Sequence, residues 1–489
     1  MFTNELWNKP AGATGFYEYQ IANSIRGSAD DDRTLKFTAG TPTSADTFTM
    51  AYWVKRQTDS TTDSANVIFT AGTGGGTYFY NSFGLDLFTE GGGGNWSTSY
   101  LQTNAAYRDT SAWYHHIYVF DSTQSAANDR LKLYVNGERI TSFAQDSLHG
   151  NIGSSEDFSF INQSGIVQAF GGLSGKGHGT EGADLSLADV MFFDGQSYYA
   201  ELGETKNGVW IPKDPSGLTF GNNGYWLKFT NSSNLGEDFS GNDNDFTVAN
   251  FASHDQMTDT PTFNSDSNGG NFPTYNPLLK QPTGVALSEG NLKASLTSDD
   301  CGIMSNWQVP LTGKWYWEIY IEAIATDHGI YFGVMPSNTD LTINQESNNL
   351  GLVYYSINGN SILKGTRSSY GDTWTTGDII SIAVDRDADT LQFYKNGSGQ
   401  GTIDISSLDE KFFYYIGYTG GSGACTGIVN FGQDDGTFCG NVTAGGNSDG
   451  TGYGNFKYSV PSGFLAICAG NQPVADAIDP AQSDDNYPQ

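Results

Sequence analysis

Charge is scarce in this chain and unevenly split. Only 16% of its 489 residues are charged, against about 25% in an average soluble protein. Asp and Glu number 54 against 23 Lys and Arg, giving a net charge of −31. Phosphate backbones and anionic lipid repel such a polyanion at long range, which argues against nucleic acid as a partner. Long apolar runs are missing too. No stretch approaches the roughly 18 residues of a membrane span, and residues 1–7 lack the basic start and apolar run of a secretory signal. The chain therefore reads as soluble, without membrane insertion or Sec export. Cysteine is sparse: Cys301, Cys425, Cys439 and Cys468 show no C-x-x-C spacing. This points to small buried thiols rather than zinc ligands, while the even count leaves pairing open. Long segments with apolar residues at i, i+3, i+4 and i+7 are also absent, so extended amphipathic helices are not expected.

Glycine, at 62 residues, and aromatics, at 14%, are what the chain has in quantity. Aromatic side chains suit a pleated, half-buried surface and glycine supplies the positive φ of tight turns, so the pair predicts many strands joined by many turns. Length alone suggests two to four domains. Period-two alternation is frequent: Trp315, Trp317, Ile319 and Ile321 alternate with Tyr316, Glu318, Tyr320 and Glu322, a strand with one buried and one solvated face. Further short strands are expected at 34–38, 48–55, 114–120, 131–135, 185–193, 225–229, 379–384 and 391–394. An order of strand, Asp, turn, strand and Asn-Gly occurs twice, over 113–137 and again over 377–397 with a turn four residues shorter. Two related β units are implied, and Asn-Gly fits the positive φ angles of a two-residue hairpin turn.

The successive segments FTMAYWVKR at 48, WYHHIYVFD at 113, LKLYVNGERI at 131 and LADVMFFDGQ at 187 resemble the strands of a laminin-G-like, concanavalin A-type jelly roll. GKWYWEIYI at 313, GIYFGVM at 329, the 377–397 hairpin and YIGYTGGSGACTGIVNFGQ at 415 resemble a SPRY domain, another concanavalin-like sandwich. The resemblance implies an all-β chain of two antiparallel β-sandwiches in tandem. Its expected parts are an arm over 1–20, a jelly roll over 21–251, a polar linker over 252–272, a SPRY-like sandwich over 273–470 and an acidic extended tail over 471–489. Residues 224–251 read either as a permuted strand of the first sandwich or as a connector hairpin.

Catalytic signatures are few. A glycosidase needs two carboxylates about 5 to 9 Å apart, whereas Glu318 and Glu322 on one strand face would lie about 13 Å apart. The adjacent His115 and His116 point to opposite strand faces and cannot share a metal, and one of them is expected in the core. No Gly-x-Ser-x-Gly elbow occurs, so the chain is not expected to be an enzyme or to carry a cofactor. Hard oxygen ligands for calcium could come from Asp30–Asp32 or from Asp238, Ser240, Asn242, Asn244 and Asp245, but the second set also suits a turn. Tyr78, Tyr80, Trp96 and Tyr100, beside glycine runs, and Tyr354, Tyr355, Arg367, Tyr370 and Trp374, between predicted SPRY strands, are candidates for stacking on sugar rings or for core or subunit packing.

The opening MFTNELWNKPAGATGFYEYQIANSIR, RTLKFTAG at 33 and LGEDFSGNDNDFTVANF at 235 resemble appendage proteins of tailed, particularly marine, bacteriophages. That resemblance implies a virion protein, made in the host cytoplasm and held to other virion proteins by Phe2, Leu6, Trp7, Phe16 and Tyr17 of the arm. It also implies a homo-oligomer, with a trimer as the fibre-like number, presenting loops to a host-surface glycan or protein. A capsid-decorating role without a host ligand is the alternative, and a glycan hydrolase comes last.

Overall fold

The computed structural model describes residues 16–28, 31–58, 67–72, 76–80, 85–90, 98–171, 184–263, 268–281, 283–298, 300–325, 329–343, 350–408, 412–418 and 424–472. Strands dominate them, and the two α-helices among the described residues, Ala127–Arg130 and Leu148–Asn151, are single turns. The all-β expectation holds. One sandwich precedes the other along the chain.

In the first sandwich, one sheet runs Glu138–Arg139, Leu131–Val135, Trp113–Asp121, Thr47–Arg56, Leu185–Asp194, Ser24–Arg26 and Gln256–Met257, with Tyr225–Leu227 also paired to Leu185–Asp194. The facing sheet ends on Phe143–Asp146 at one edge and Thr247–Ala249 at the other. Between the sheets lies an aromatic-rich core in which Phe48 meets Phe120, Phe158 and Phe192 at ring separations of 5.1, 5.6 and 5.3 Å. The outer face of the first sheet is covered as well, since Leu202, Phe220 and Trp226 bury Ala51, Ile117, Val119, Met191 and Phe193. Strand Leu185–Asp194 is consequently buried along its whole length.

The second sandwich joins a sheet ending on Tyr275–Lys280 and Thr366–Ser369 to one ending on Val285–Ser288 and Ser398–Asp404. Trp317, Phe332, Ile382, Phe393 and Tyr414 fill its interior. The outer face of strand Lys314–Ala323 is not solvated as the alternation predicted. Leu465–Ala466 pairs with it in parallel, and the main chain at Lys457 and Tyr458 closes over Glu318, which is fully buried. Glu322 instead pairs with Lys293 at 2.7 Å.

Both Asn-Gly turns form as expected. Asn136 and Gly137 have φ of 47° and 82°, and Asn396 and Gly397 have 48° and 79°. Each Asn does a second thing: its side-chain carbonyl accepts the main-chain N–H of His115 at 2.8 Å or of Ile379 at 2.9 Å, while its own N–H donates to the carbonyl of that same residue. The longer turn of the first copy contains the helical turn Ala127–Arg130.

One open reading is decided and one needs correction. Residues 224–251 are part of the first sandwich: Tyr225–Leu227 enters one sheet through Leu185–Asp194, and Thr247–Ala249 enters the other through Thr34–Thr38. The described residues of segment 252–272, expected as a polar linker, are packed in place by hydrogen bonds as well as by Met257, Phe263 and Phe272, which are buried. Its Gln256–Met257 pairs with Ser24–Arg26, the Ile21 N–H donates to Thr262 Oγ1 at 2.8 Å, and Asn268 Nδ2 donates to the Ile21 carbonyl at 2.7 Å. Ion pairs bind the sandwiches further. Arg26, 1% exposed, lies 3.1 Å from both Asp255 and Glu289, and Arg33 lies 3.1 Å from the same two carboxylates.

Candidate functional site

The sequence candidates for sugar stacking scatter once the chain is folded. Tyr354 is fully buried, with its ring 5.1 Å from Phe393 and 5.8 Å from Trp374, and its hydroxyl donates to the Asp372 carbonyl. Trp374 is buried against Phe332 at 5.4 Å. Tyr355 stacks on Tyr331 at 4.5 Å, and the exposed Arg367 guanidinium caps it from 5.4 Å. Tyr370, half-buried, donates its hydroxyl to the Gly401 carbonyl. These rings lie in and around the core of the second sandwich, so of the two readings open for Tyr354, Tyr355 and Trp374 burial favours core packing over an exposed stacking surface. Alternation along Leu352–Tyr355 points Tyr354 inward, and the opposite face is closed by Met304, Tyr331 and Tyr415.

In the first sandwich Tyr100 is half-buried, and its N–H donates to Ser147 Oγ at 2.9 Å. Tyr78 and Tyr80 belong to strand Gly76–Tyr80, but their side chains, like Trp96, lie outside the described residues. Phe2, Leu6 and Trp7 of the arm also lie outside them. Phe16 is 3% exposed, with Lys206 Nζ 5.6 Å above its ring, and Tyr17 meets Phe263 edge-on at 5.2 Å. This end of the arm covers its own chain, so Phe16 is not free to anchor another subunit.

Several other candidates take structural roles, while Asp30 lies outside the described residues. His115 and His116 are both fully buried, and desolvation pushes both down to about 3. His115 stacks on Trp53 at 4.6 Å and accepts the Trp210 Nε1–H at 3.0 Å. Asp238 accepts the N–H groups of Trp226, Ser240 and Asn244 at 2.8 to 3.0 Å, while Asn242 and Asn244 donate to the Gly224 carbonyl. These oxygen-rich side chains hold a turn. The four cysteines are free thiols.

Sequence reading missed a groove of about 490 Å³ beside the edge strand Thr247–Ala249. Leu235, Phe246, Val248 and Phe251 give it an apolar floor, and Ser232, Ser233, Asn234 and Ser253 line it with hydroxyl and amide groups. Phe246 is locked from behind by Tyr225 at 4.8 Å and Phe37 at 5.4 Å. The rim is set by Asn231: its Oδ1 accepts the Ser233 N–H at 3.1 Å, its carbonyl accepts the Asn234 N–H at 3.0 Å, and its Nδ2 donates to Glu237 at 2.7 Å. No carboxylate is among the nine lining residues. An apolar floor with neutral donors and acceptors suits a polyhydroxylated ligand and offers no acid-base pair. Two other hollows, of about 10 and 90 Å³, are much smaller. The Asn-Ser-Ser-Asn cluster at 231–234 was the available signal for the groove.

Comparison with known families agrees with this architecture. Residues 26–173 match the concanavalin A-like lectin/glucanases superfamily, and residues 314–434 match the SPRY domain. The chain carries a concanavalin A-like domain followed by a SPRY domain. No curated protein matches it. Among solved structures, the SPRY domain of human HERC1 is 18% identical, with a TM-score of 0.27, over 32% of this chain and 96% of that one. A human SPRY domain is 13% identical, with a TM-score of 0.24, over 30% and 94%. Stonustoxin is 16% identical, with a TM-score of 0.26, over 34% of this chain and 27% of that one.

Proposed function

We propose that this chain is a non-enzymatic virion protein of a tailed bacteriophage, a tail fibre or appendage that recognises a host-surface glycan through its concanavalin A-like domain. The observation that carries the binding part of this reading is the groove beside Thr247–Ala249, where an apolar floor adjoins four neutral polar side chains. The faces of sugar rings are apolar and their edges are hydroxyl-rich, so such a surface matches them in both respects. A net charge of −31 favours neutral over acidic sugars. Binding without hydrolysis is supported by the lack of a carboxylate lining the groove and by the engagement of Glu318 and Glu322 elsewhere. The virion part rests on the sequence resemblance of residues 1–26, 33–40 and 235–251 to phage appendage proteins.

A single shallow groove holding a sugar near millimolar affinity provides only about 4 kcal/mol, so attachment needs several copies in a closed homo-oligomer. Antibody labelling of particles tests the virion reading: a few copies at the tail support it, and label spread over the head supports capsid decoration instead.

A further inference from the structure

Lys55, Asp259 and Asn271 meet where the first sandwich joins the segment leading to the second. Lys55 Nζ lies 2.7 Å from Asp259 Oδ2, 2.8 Å from Asn271 Oδ1 and 2.8 Å from the Phe272 carbonyl. Lys55 is 2% exposed and Asp259 5%. The other oxygen of Asp259 accepts the Trp113 Nε1–H at 3.0 Å and the Phe272 N–H at 3.3 Å, which aims Oδ2 at the lysine. Asn271 Nδ2 donates to the Ser111 carbonyl at 2.7 Å and so fixes the amide plane. A buried amine, a carboxylate in contact with it and a carboxamide beside both are the components of amide transfer. We propose that Lys55 and Asn271 become joined by a self-formed amide cross-link, with Asp259 as the proton-transfer group.

The chemistry balances without a co-reactant. Asp259, whose Oδ2 lies 2.7 Å from Lys55 Nζ, takes a proton from the ammonium. The freed lone pair attacks Asn271 Cγ, which lies one C=O bond, about 1.2 Å, beyond Oδ1. Holding amine and carboxamide together in one site raises their effective concentration, which takes the place of an external catalyst. The Nζ–Cγ bond forms and the Cγ–Nδ2 bond breaks. Of the two protons that Nζ loses, one makes Nδ2 into ammonia and the other passes through Asp259, so the pair leaves as ammonium. The bond ties strand Thr47–Arg56 of the first sandwich to the segment entering the second, and a pull on the chain would then not separate them.

Intact mass and tryptic peptide mapping of the full-length protein test this. The expected result is a chain lighter than its sequence by one ammonia and a branched peptide joining Lys55 to Asn271. The branched peptide decides the matter, because a succinimide at Asn136-Gly137 or Asn396-Gly397 would lose the same mass without a branch. Lys55→Arg, which keeps the charge, and Asp259→Asn should show no branch, and Asn271→Asp should lose one water instead. Wild-type protein with separate Lys55 and Asn271 peptides after prolonged incubation overturns the proposal, and a branch that persists in Asp259→Asn overturns the role of Asp259.

Discussion

Tyr316 donates its hydroxyl proton to Glu318 across 2.8 Å, although the two side chains share the strand face that alternation assigned to water. The Lys457 and Tyr458 N–H groups complete the enclosure at 2.8 and 2.9 Å. Burial outweighs these three hydrogen bonds and pushes the Glu318 carboxyl up from 4.5 to about 7. Burial also pushes Asp189 up to about 6.

A pH dependence of stability follows. The folded state holds these protons more tightly than the unfolded chain, so the contribution of Glu318 is complete below about pH 4.5 and is lost as pH rises through about 7. Burial also acts on Glu289, but Arg26 and Arg33 hold it below its ordinary value, and its contribution is lost as pH falls. Since His115 and His116, pushed down to about 3 by burial, pull the other way as pH falls, the expected signal is a difference between variants: Glu318→Gln should remove the part of the wild-type melting profile that falls between pH 5.5 and pH 8. Thermal melts across this range check it, and an unchanged slope in the variant would remove Glu318 from the explanation.

The aromatic residues of the SPRY domain separate core from surface. Trp374→Ala should destabilise by about 3 to 5 kcal/mol through lost packing. Arg367→Ala, on an exposed strand, should stay within about 0.5 kcal/mol. Urea denaturation of both variants distinguishes the roles, and equal small effects would contradict the placement of Trp374.

Removing one partner from the ion pairs between the sandwiches leaves buried charge uncompensated. Arg26→Met should cost about 3 to 5 kcal/mol and expose residues 252–272 to protease before either sandwich unfolds. Limited proteolysis followed by mass mapping reads this directly, and wild-type resistance in the variant would show that the cluster does not hold the segment.

The duplicated hairpins make a paired prediction. Asn136→Ala and Asn396→Ala should each cost about 1 to 3 kcal/mol, because each leaves a main-chain N–H of the preceding strand without its acceptor. Gly137→Ala should be worse than either, since a Cβ there would lie 2.2 Å from the Trp210 ring. Comparative melts of the three variants check the order.

Much of this fold could be read from residue order. Strands 34–38 and 131–135 fall where alternation put them, and the Asn-Gly pairs mark both hairpins because few residues accept positive φ at successive positions. Burial was less legible. Alternation reports which side chains share a face, not whether a distant segment covers it, so Glu318 reads as solvated although the main chain at Lys457 and Tyr458 closes over it. The packing of residues 252–272 was hidden for a related reason: Asp255, Asp259, Thr262 and Asn268 are held by partners far along the chain, and polar composition alone resembles a loop. The groove escaped notice because its floor and rim come together only when Thr247–Ala249 joins the sheet.

Glycan-array binding of the purified full chain, with wild type beside Ser233→Trp, tests the central claim most directly. The account predicts that wild type binds neutral glycans, that the bulky ring in the groove abolishes this binding, and that the melting temperature does not change. Absence of glycan binding by wild type, or equal binding by the filled variant, would contradict it.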